Sequence, residues 1–133
     1  MILPPGRCRE LFAAADRVVL ATTGADLRPH LVPVTFVLTG DRVLIAIDHK
    51  PKTTKNLRRL RNLTENPRVA LLADHYTPDW TQLWWTRADG TATVLPSVPT
   101  EPLAAKYPQY AETPPTGPFI EIQIEKWTGW SAS

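Results

Sequence analysis

The chain has 133 residues, 43% hydrophobic and 21% charged, which fits a single domain with one core and excludes wholesale disorder. Its net charge of +2 is local: six of the fifteen basic residues (Lys50, Lys52, Lys55, Arg58, Arg59, Arg61) fall in one short stretch without an acid among them, leaving nine bases against thirteen acids elsewhere. A local cationic cluster points to one anionic partner docking at one place and argues against a protein that coats polyanions.

Fourteen prolines and six glycines predict many turns and few long helices. The single cysteine, Cys8, has no partner for an internal disulfide or a metal site, and a reducing cytoplasm is its expected home. The opening MILPPGRCRE lacks the apolar run of a signal peptide, and no later run has the length that spans a bilayer. In chain order, Arg7 to Ala15 predicts a short helix lying across an end of a sheet, with Pro4, Pro5 and Gly6 delaying its start. VVLATT, HLVPVTFVL and VLIAI then predict a three-stranded antiparallel meander, punctuated at Gly24 to Asp26 and at Gly40 and Asp41. Pro29 and Pro33 withhold backbone donors, so the second strand belongs at an edge, at a bulge, or where the ladder opens to admit a ligand.

From Lys52 to Leu63 no glycine or proline interrupts, and Pro51 suits a helix start. Helical geometry brings Lys52, Lys55 and Arg59 onto one face with Asn62 close by, and puts Thr53, Leu57 and Leu60 opposite. RVALLA follows as a near-continuously apolar, interior strand. DHYTPDWTQ is a polar and aromatic loop. LWWTRADGTATVL is either one long strand with a bulge at Gly90 or a hairpin turning at Asp89 and Gly90. The proline-dense segment from Pro96 to Pro118 reads as a surface loop with room for one short helix near Glu101 to Lys106. FIEIQIEKW closes the chain as a period-two strand with Ile120, Ile122 and Ile124 on one side. About six strands, short helices and no βαβ alternation give a small antiparallel barrel spanning residues 1–133 as one domain.

A solvated helix face and an anion site both fit the basic stretch. The site gains support from Lys52 and Lys55 in the first turn, where free N–H groups and the helix dipole favour an anion, and from the hydroxyls of Thr53 and Thr54. A phosphate is the best-matched guest. Nucleic acid fits less well, since the remaining chain is acidic and carries no second basic stripe. His30, His49 and His75 lie scattered, without ligand spacing, so no metal is expected. His75, in the DHYTPDW loop, is a surface histidine or a proton donor to a substrate. No GxSxG, GxGxxG or Walker pattern occurs, and nucleophilic catalysis has no support. Trp84 and Trp85 must point to opposite faces of their strand, one toward the core and the other free for an interface or a ring.

The proline-interrupted second strand, KPKTTKNLRRLRNLTENPRVALLADHY, DWTQLWWTRADGTATVL and IEIQIEKWTGW occur in an order that resembles the flavin/deazaflavin oxidoreductase superfamily. This is the FMN-binding split β-barrel group of the pyridoxamine 5′-phosphate oxidases, and the chain is most similar to its coenzyme F420-dependent branch in actinobacteria. The resemblance implies a mainly β, six-stranded antiparallel split barrel and a homodimer with cofactor sites at the subunit interface. The cofactor phosphate would be held by Lys50, Lys52, Thr53, Lys55 and Arg59, and the ring would lie against Pro33, Val34 and Thr35. It further implies a reductase that passes a hydride from reduced F420 to a conjugated small molecule such as an enone, quinone or tetrapyrrole, with His75 or Tyr76 as candidate proton donors. An FMN-dependent oxidase of the pyridoxamine phosphate type, or a carrier of the cofactor or a tetrapyrrole without turnover, are the alternatives it leaves open. In hydride transfer the cofactor supplies the reactive electrons, so the lack of a nucleophile is no obstacle. Nucleic acid and membrane are not among the partners implied.

Overall fold

A computed structural model describes residues 1–47 and 58–133. Helix α1 spans Pro5–Ala13, with Pro5 at its first position, where a missing N–H costs nothing. Strands β1 (Val18–Thr23), β2 (Pro29–Val34), β3 (Val37–Thr39) and β4 (Arg42–Ala46) follow, then helix α2 (Arg58–Glu65), β5 (Arg68–His75), β6 (Trp84–Leu95), helices α3 (Glu101–Lys106) and α4 (Pro108–Glu112), and β7 (Phe119–Ser131). All pairings are antiparallel, in the order β2-β1-β5-β6-β7-β4-β3.

The two edges of this sheet, β2 and β3, are separated in sequence only by Thr35 and Phe36. Val34 and Val37 therefore lie at most about 11 Å apart, whereas a flat sheet of this many strands would hold its edges roughly 29 Å apart. The sheet must curl on itself, and the result is the antiparallel barrel with short helices anticipated above. The difference from the sequence reading is the second strand: HLVPVTFVL does not run through as the middle of a meander but breaks at Thr35 and Phe36, so that six expected strands become seven. Its first half pairs with β1 and its second with β4, on opposite flanks of the sheet.

Inside the barrel, Val18 and Leu20 of β1, Leu71 of β5, Ala88 of β6 and Ile120 and Ile122 of β7 are essentially inaccessible, and Phe12 of α1 closes one end against Phe36 and Trp127. Strand β5 is central, as its apolar run suggested, yet only Val69, Leu71 and Ala73 are buried while Leu72 on the outer face is 40% exposed. LWWTRADGTATVL is one strand, and its register against β7 shifts between Asp89 and Gly90. A Cβ on Gly90 would run into the Gln123 carbonyl, so a side chain there would force the two strands apart. Gly24 has a similar role at the β1–β2 turn: its bare Cα lets Asn62 and Glu65 of α2 approach, where a Cβ would stand 2.6 Å from Asn62 Oδ1 and 2.5 Å from Glu65 Oε1. Asn62 Nδ2 donates to Thr22 Oγ1 at 3.0 Å and the Ala25 N–H donates to Glu65 Oε1 at 2.7 Å, which docks α2 on that turn.

The segment from Pro96 to Pro118 is more than a surface loop. It carries the expected α3 and also α4, started by Pro108, and it buries Leu103 against Ala46 and Phe119 in a second, smaller cluster. The β3–β4 turn is tied to α1 and β7 through Asp41. Its carboxylate accepts from Arg9 Nε at 3.0 Å, Arg9 Nη2 at 2.8 Å and Trp127 Nε1 at 3.1 Å. The Arg9 hydrogen bonds, followed by that of Trp127, hold the Asp41 carboxyl below its ordinary pKa. Such a group stabilises the folded state above its unfolded pKa of about 3.9 and loses that contribution as pH falls through its lower folded value. Asp41→Asn is therefore expected to lower Tm at neutral pH, with the gap to the native chain closing below about pH 4; parallel melting curves across that range would contradict it.

Candidate functional site

Three strands contribute one residue each to a row on the outer face of the barrel: Pro33 of β2 opposite Val19 of β1, and Val19 opposite Leu72 of β5. This row floors a cleft of about 410 Å³, walled by the α1–β1 connection (Ala14, Ala15, Asp16, Arg17) and by Asp74, His75 and Trp84, a size typical of small-molecule sites. His75 and Trp84 are cross-strand partners at the ends of β5 and β6, and their rings lie nearly parallel, 5.9 Å apart with 16° between planes. The stack fixes the imidazole at the cleft wall. The floor is apolar, while charges of both signs sit on the rim at Asp16, Arg17 and Asp74.

Beyond Val19 and Leu72 the same outer face continues into a second hollow of about 540 Å³, nearly all apolar, lined by Ala21, Leu31, Ala70, Trp85 and Tyr76. Leu31, Ala21 and Ala70 form the next cross-strand row. Leu31 is 64% exposed and Tyr76 66%. Val19, Leu72 and Asp74 belong to both hollows, so cleft and apolar face are continuous.

The sequence-predicted residues distribute as follows. Pro33 lines the cleft, but Val34 points inward and is 8% exposed, because alternate residues of a strand face opposite sides. Thr35, in the break between β2 and β3, hydrogen-bonds through Oγ1 to Tyr110 Oη at 3.1 Å and is covered by α4. His75 is in the cleft, whereas Tyr76, next in sequence, falls in the apolar hollow. Arg59 is half-buried on α2; Asn62, expected beside it on the cationic face, is buried with Leu63, and Arg58 and Arg61 are the exposed cations of this helix. Of the face drawn from the lysine spacing, Asn62 turns inward while Arg59 stays partly accessible. Lys50, Lys52, Thr53 and Lys55 lie outside the described residues. Trp84 packs against the core and stacks on His75, and Trp85 faces the outer hollow, so the two do divide between faces.

Sequence reasoning missed Asp16 and Arg17, which become cleft residues only because α1 ends just before them, and it missed Tyr107. The Tyr107 hydroxyl lies 2.7 Å from the Asp16 carbonyl oxygen, 3.0 Å from the Phe36 carbonyl oxygen and 3.0 Å from the Phe36 N–H, which donates to it. Burial raises the pKa of this phenol and lowers that of neighbouring Lys106, whose Nζ sits 3.6 Å from the centre of the Phe36 ring. Among the described residues no group of three His, Cys, Asp or Glu is placed to hold a metal ion, and no helix is long and apolar enough to cross a membrane.

A family model described as pyridoxamine 5′-phosphate oxidase matches residues 5–131. The fold is similar to that of an FAD-binding protein from Mesorhizobium loti (TM-score 0.72, 18% identity, covering 97% of this chain and 93% of that one). It is also similar to the FAD binding protein of Mycobacterium smegmatis (TM-score 0.66, 23% identity, 98% and 97% covered). The haem storage protein HutZ from Vibrio cholerae has the same fold at 18% identity (TM-score 0.64, 95% and 92% covered). No curated protein matches in sequence.

Proposed function

The chain belongs to the pyridoxamine 5′-phosphate oxidase family, and from that membership we propose that it is an F420-dependent oxidoreductase working as a homodimer on a conjugated small molecule. The observation that carries this reading is the cleft itself. An apolar floor of Pro33, Val19 and Leu72 beside the parallel His75 and Trp84 rings offers a flat surface suited to a planar heterocycle. The two FAD-binding structural relatives support a flavin-type guest. The deazaflavin is favoured over FMN by the length of the basic stretch: its cations run from Lys50 to Arg61, and Arg58 and Arg61 are exposed on α2. A long anionic tail uses more of such a face than one phosphate does.

When bound in reduced form, the deazaflavin would supply a hydride to an enone, quinone or tetrapyrrole bridge. The chain's own residues would do the rest. The floor residues orient the ring and exclude water from one face. Lys52, Lys55 and Thr53 hold the phosphate. His75, steadied by the stack on Trp84, would be the proton donor to the reduced acceptor. A second copy seated on the apolar face around Leu31, Ala21 and Ala70 would border the cleft, because the two hollows share Val19, Leu72 and Asp74.

The carrier reading draws on one observation, the likeness to a haem storage protein, together with the exposed histidine of the cleft. Anaerobic mixing of the protein with reduced F420 and a panel of enones and quinones separates the two. Oxidation of the cofactor that depends on both protein and acceptor is expected; tight binding of haem with no turnover of any acceptor would favour the carrier.

A further inference from the structure

Three neighbouring residues of the α3–α4 segment reach across to the end of α1, to the connection after it that walls the cleft, and to the β2–β3 break. Tyr107 meets the Asp16 carbonyl and both backbone groups of Phe36, Tyr110 meets the Thr35 hydroxyl, and Lys106 Nζ donates to the Ala13 carbonyl at 3.3 Å. Ala13 is the last residue of α1, and a cation on its free carbonyl also answers the negative end of the helix dipole. Asp16 belongs to the connection that walls the cleft. Phe36 stands three residues beyond Pro33, in the break that separates β2 from β3.

We propose that Tyr107 is a positioning residue that holds one wall of the cofactor cleft, the α1–β1 connection, in place by tying it to the β2–β3 break. The phenol has one hydrogen to give and lone pairs to receive. It accepts from the Phe36 N–H and gives its hydrogen between two carbonyls, the nearer being Asp16 at 2.7 Å. One oxygen thus joins two segments twenty residues apart in sequence, just beyond the Val18–Val34 pair at which the β1–β2 ladder ends. Burial keeps the phenol protonated, so its hydrogen stays available. Lys106 reinforces the tie on the same side, bracing the end of α1 and the face of the Phe36 ring. The segment resembling a loop in the sequence is, on this account, a strap that holds the mouth of the site in shape.

The inference rests on the flavin-type cofactor reading, and its test separates the two. Tyr107→Phe keeps the ring packed beside Tyr110 and removes only the junction. FMN and riboflavin are titrated into native and variant protein well below their melting temperatures, with amide hydrogen exchange measured on the unliganded forms. Both ligands are expected to bind the variant about tenfold more weakly, with their affinity ratio unchanged because the phosphate site is not disturbed. Exchange should quicken at Phe36 without a global loss of protection. A purely structural role would lower the melting temperature while leaving the affinities of the folded protein alone. Lys106→Met, which cuts the same strap without touching the phenol, should act in the same sense to a smaller degree, and stands in if Tyr107→Phe does not fold. Native protein that binds FMN, with variants that match it within twofold, overturns the positioning role alone. Native protein that takes up neither FMN nor F420 overturns the cofactor reading, and the positioning role with it.

Discussion

Leu31→Asp is expected to turn the proposed homodimer into a monomer and to weaken cofactor uptake by about a hundredfold or more. Leu31 projects from the outer face of β2 and is 64% exposed in the single chain, so a carboxylate there costs the isolated subunit almost nothing. In a dimer closed over Leu31, Ala21 and Ala70 the same carboxylate would be buried against alkyl groups without a partner, a penalty of several kcal/mol. Leu31 does not line the cleft, which is what makes the second half of the prediction informative. If uptake falls as the dimer dissociates, the partner completes the site through the surface that the two hollows share. Sedimentation velocity alongside an F420 titration reads both effects. A native monomer, or a variant that stays dimeric with full affinity, would show that the apolar face has another use.

Removing the phosphate partners is the second large effect. Lys52→Ala and Lys55→Ala should each weaken F420 binding by about 1 to 3 kcal/mol, since charge-assisted hydrogen bonds to phosphate are among the stronger polar contacts. That is roughly a fivefold to 150-fold loss for each. Binding should weaken with added salt in the native protein and less steeply in each variant. Arg61→Ala, on the exposed face of α2, should act in the same direction with a smaller loss. Riboflavin, which has no phosphate, should bind all of these proteins alike. Unchanged F420 affinity in both lysine variants would place the phosphate elsewhere on the molecule.

Much of the architecture was legible because it rests on local, periodic signals. Gly90 marked an irregularity that the sequence left open between a hairpin and the bulged long strand that the structure has, while the isoleucines of β7 alternate, so that strand followed from spacing. The β2–β3 break did not. Thr35 and Phe36 carry no glycine or proline, and what ends β2 there is closure of the barrel, a long-range event expressed through Tyr107 and Tyr110 more than seventy residues downstream. The same reason explains why Val34 and Thr35 were grouped with Pro33: contiguous in sequence, they end up in the core, under α4 and in the cleft respectively. On α2 the lysine spacing put Asn62 close to the cationic face, but its tertiary docking onto Thr22 buries it, and Arg58 and Arg61 are the exposed cations of the described helix. The cleft walls at Asp16 and Arg17 had no sequence signal beyond their place between a helix and a strand. His75 was expected in a loop, but β5 runs on through Asp74 and His75, and pairing with β6 sets the imidazole against Trp84.

The central claim is that the cleft beside Pro33, Val19, Leu72 and His75 takes a reduced deazaflavin, and equilibrium titration with F420 and with FMN tests it most directly. Trp84 lines the cleft, so tryptophan fluorescence should report occupancy. Saturable quenching by F420 at one equivalent per subunit is expected, in the sub-micromolar range, with FMN binding more weakly. Sub-micromolar binding of FMN with none of F420 would contradict it.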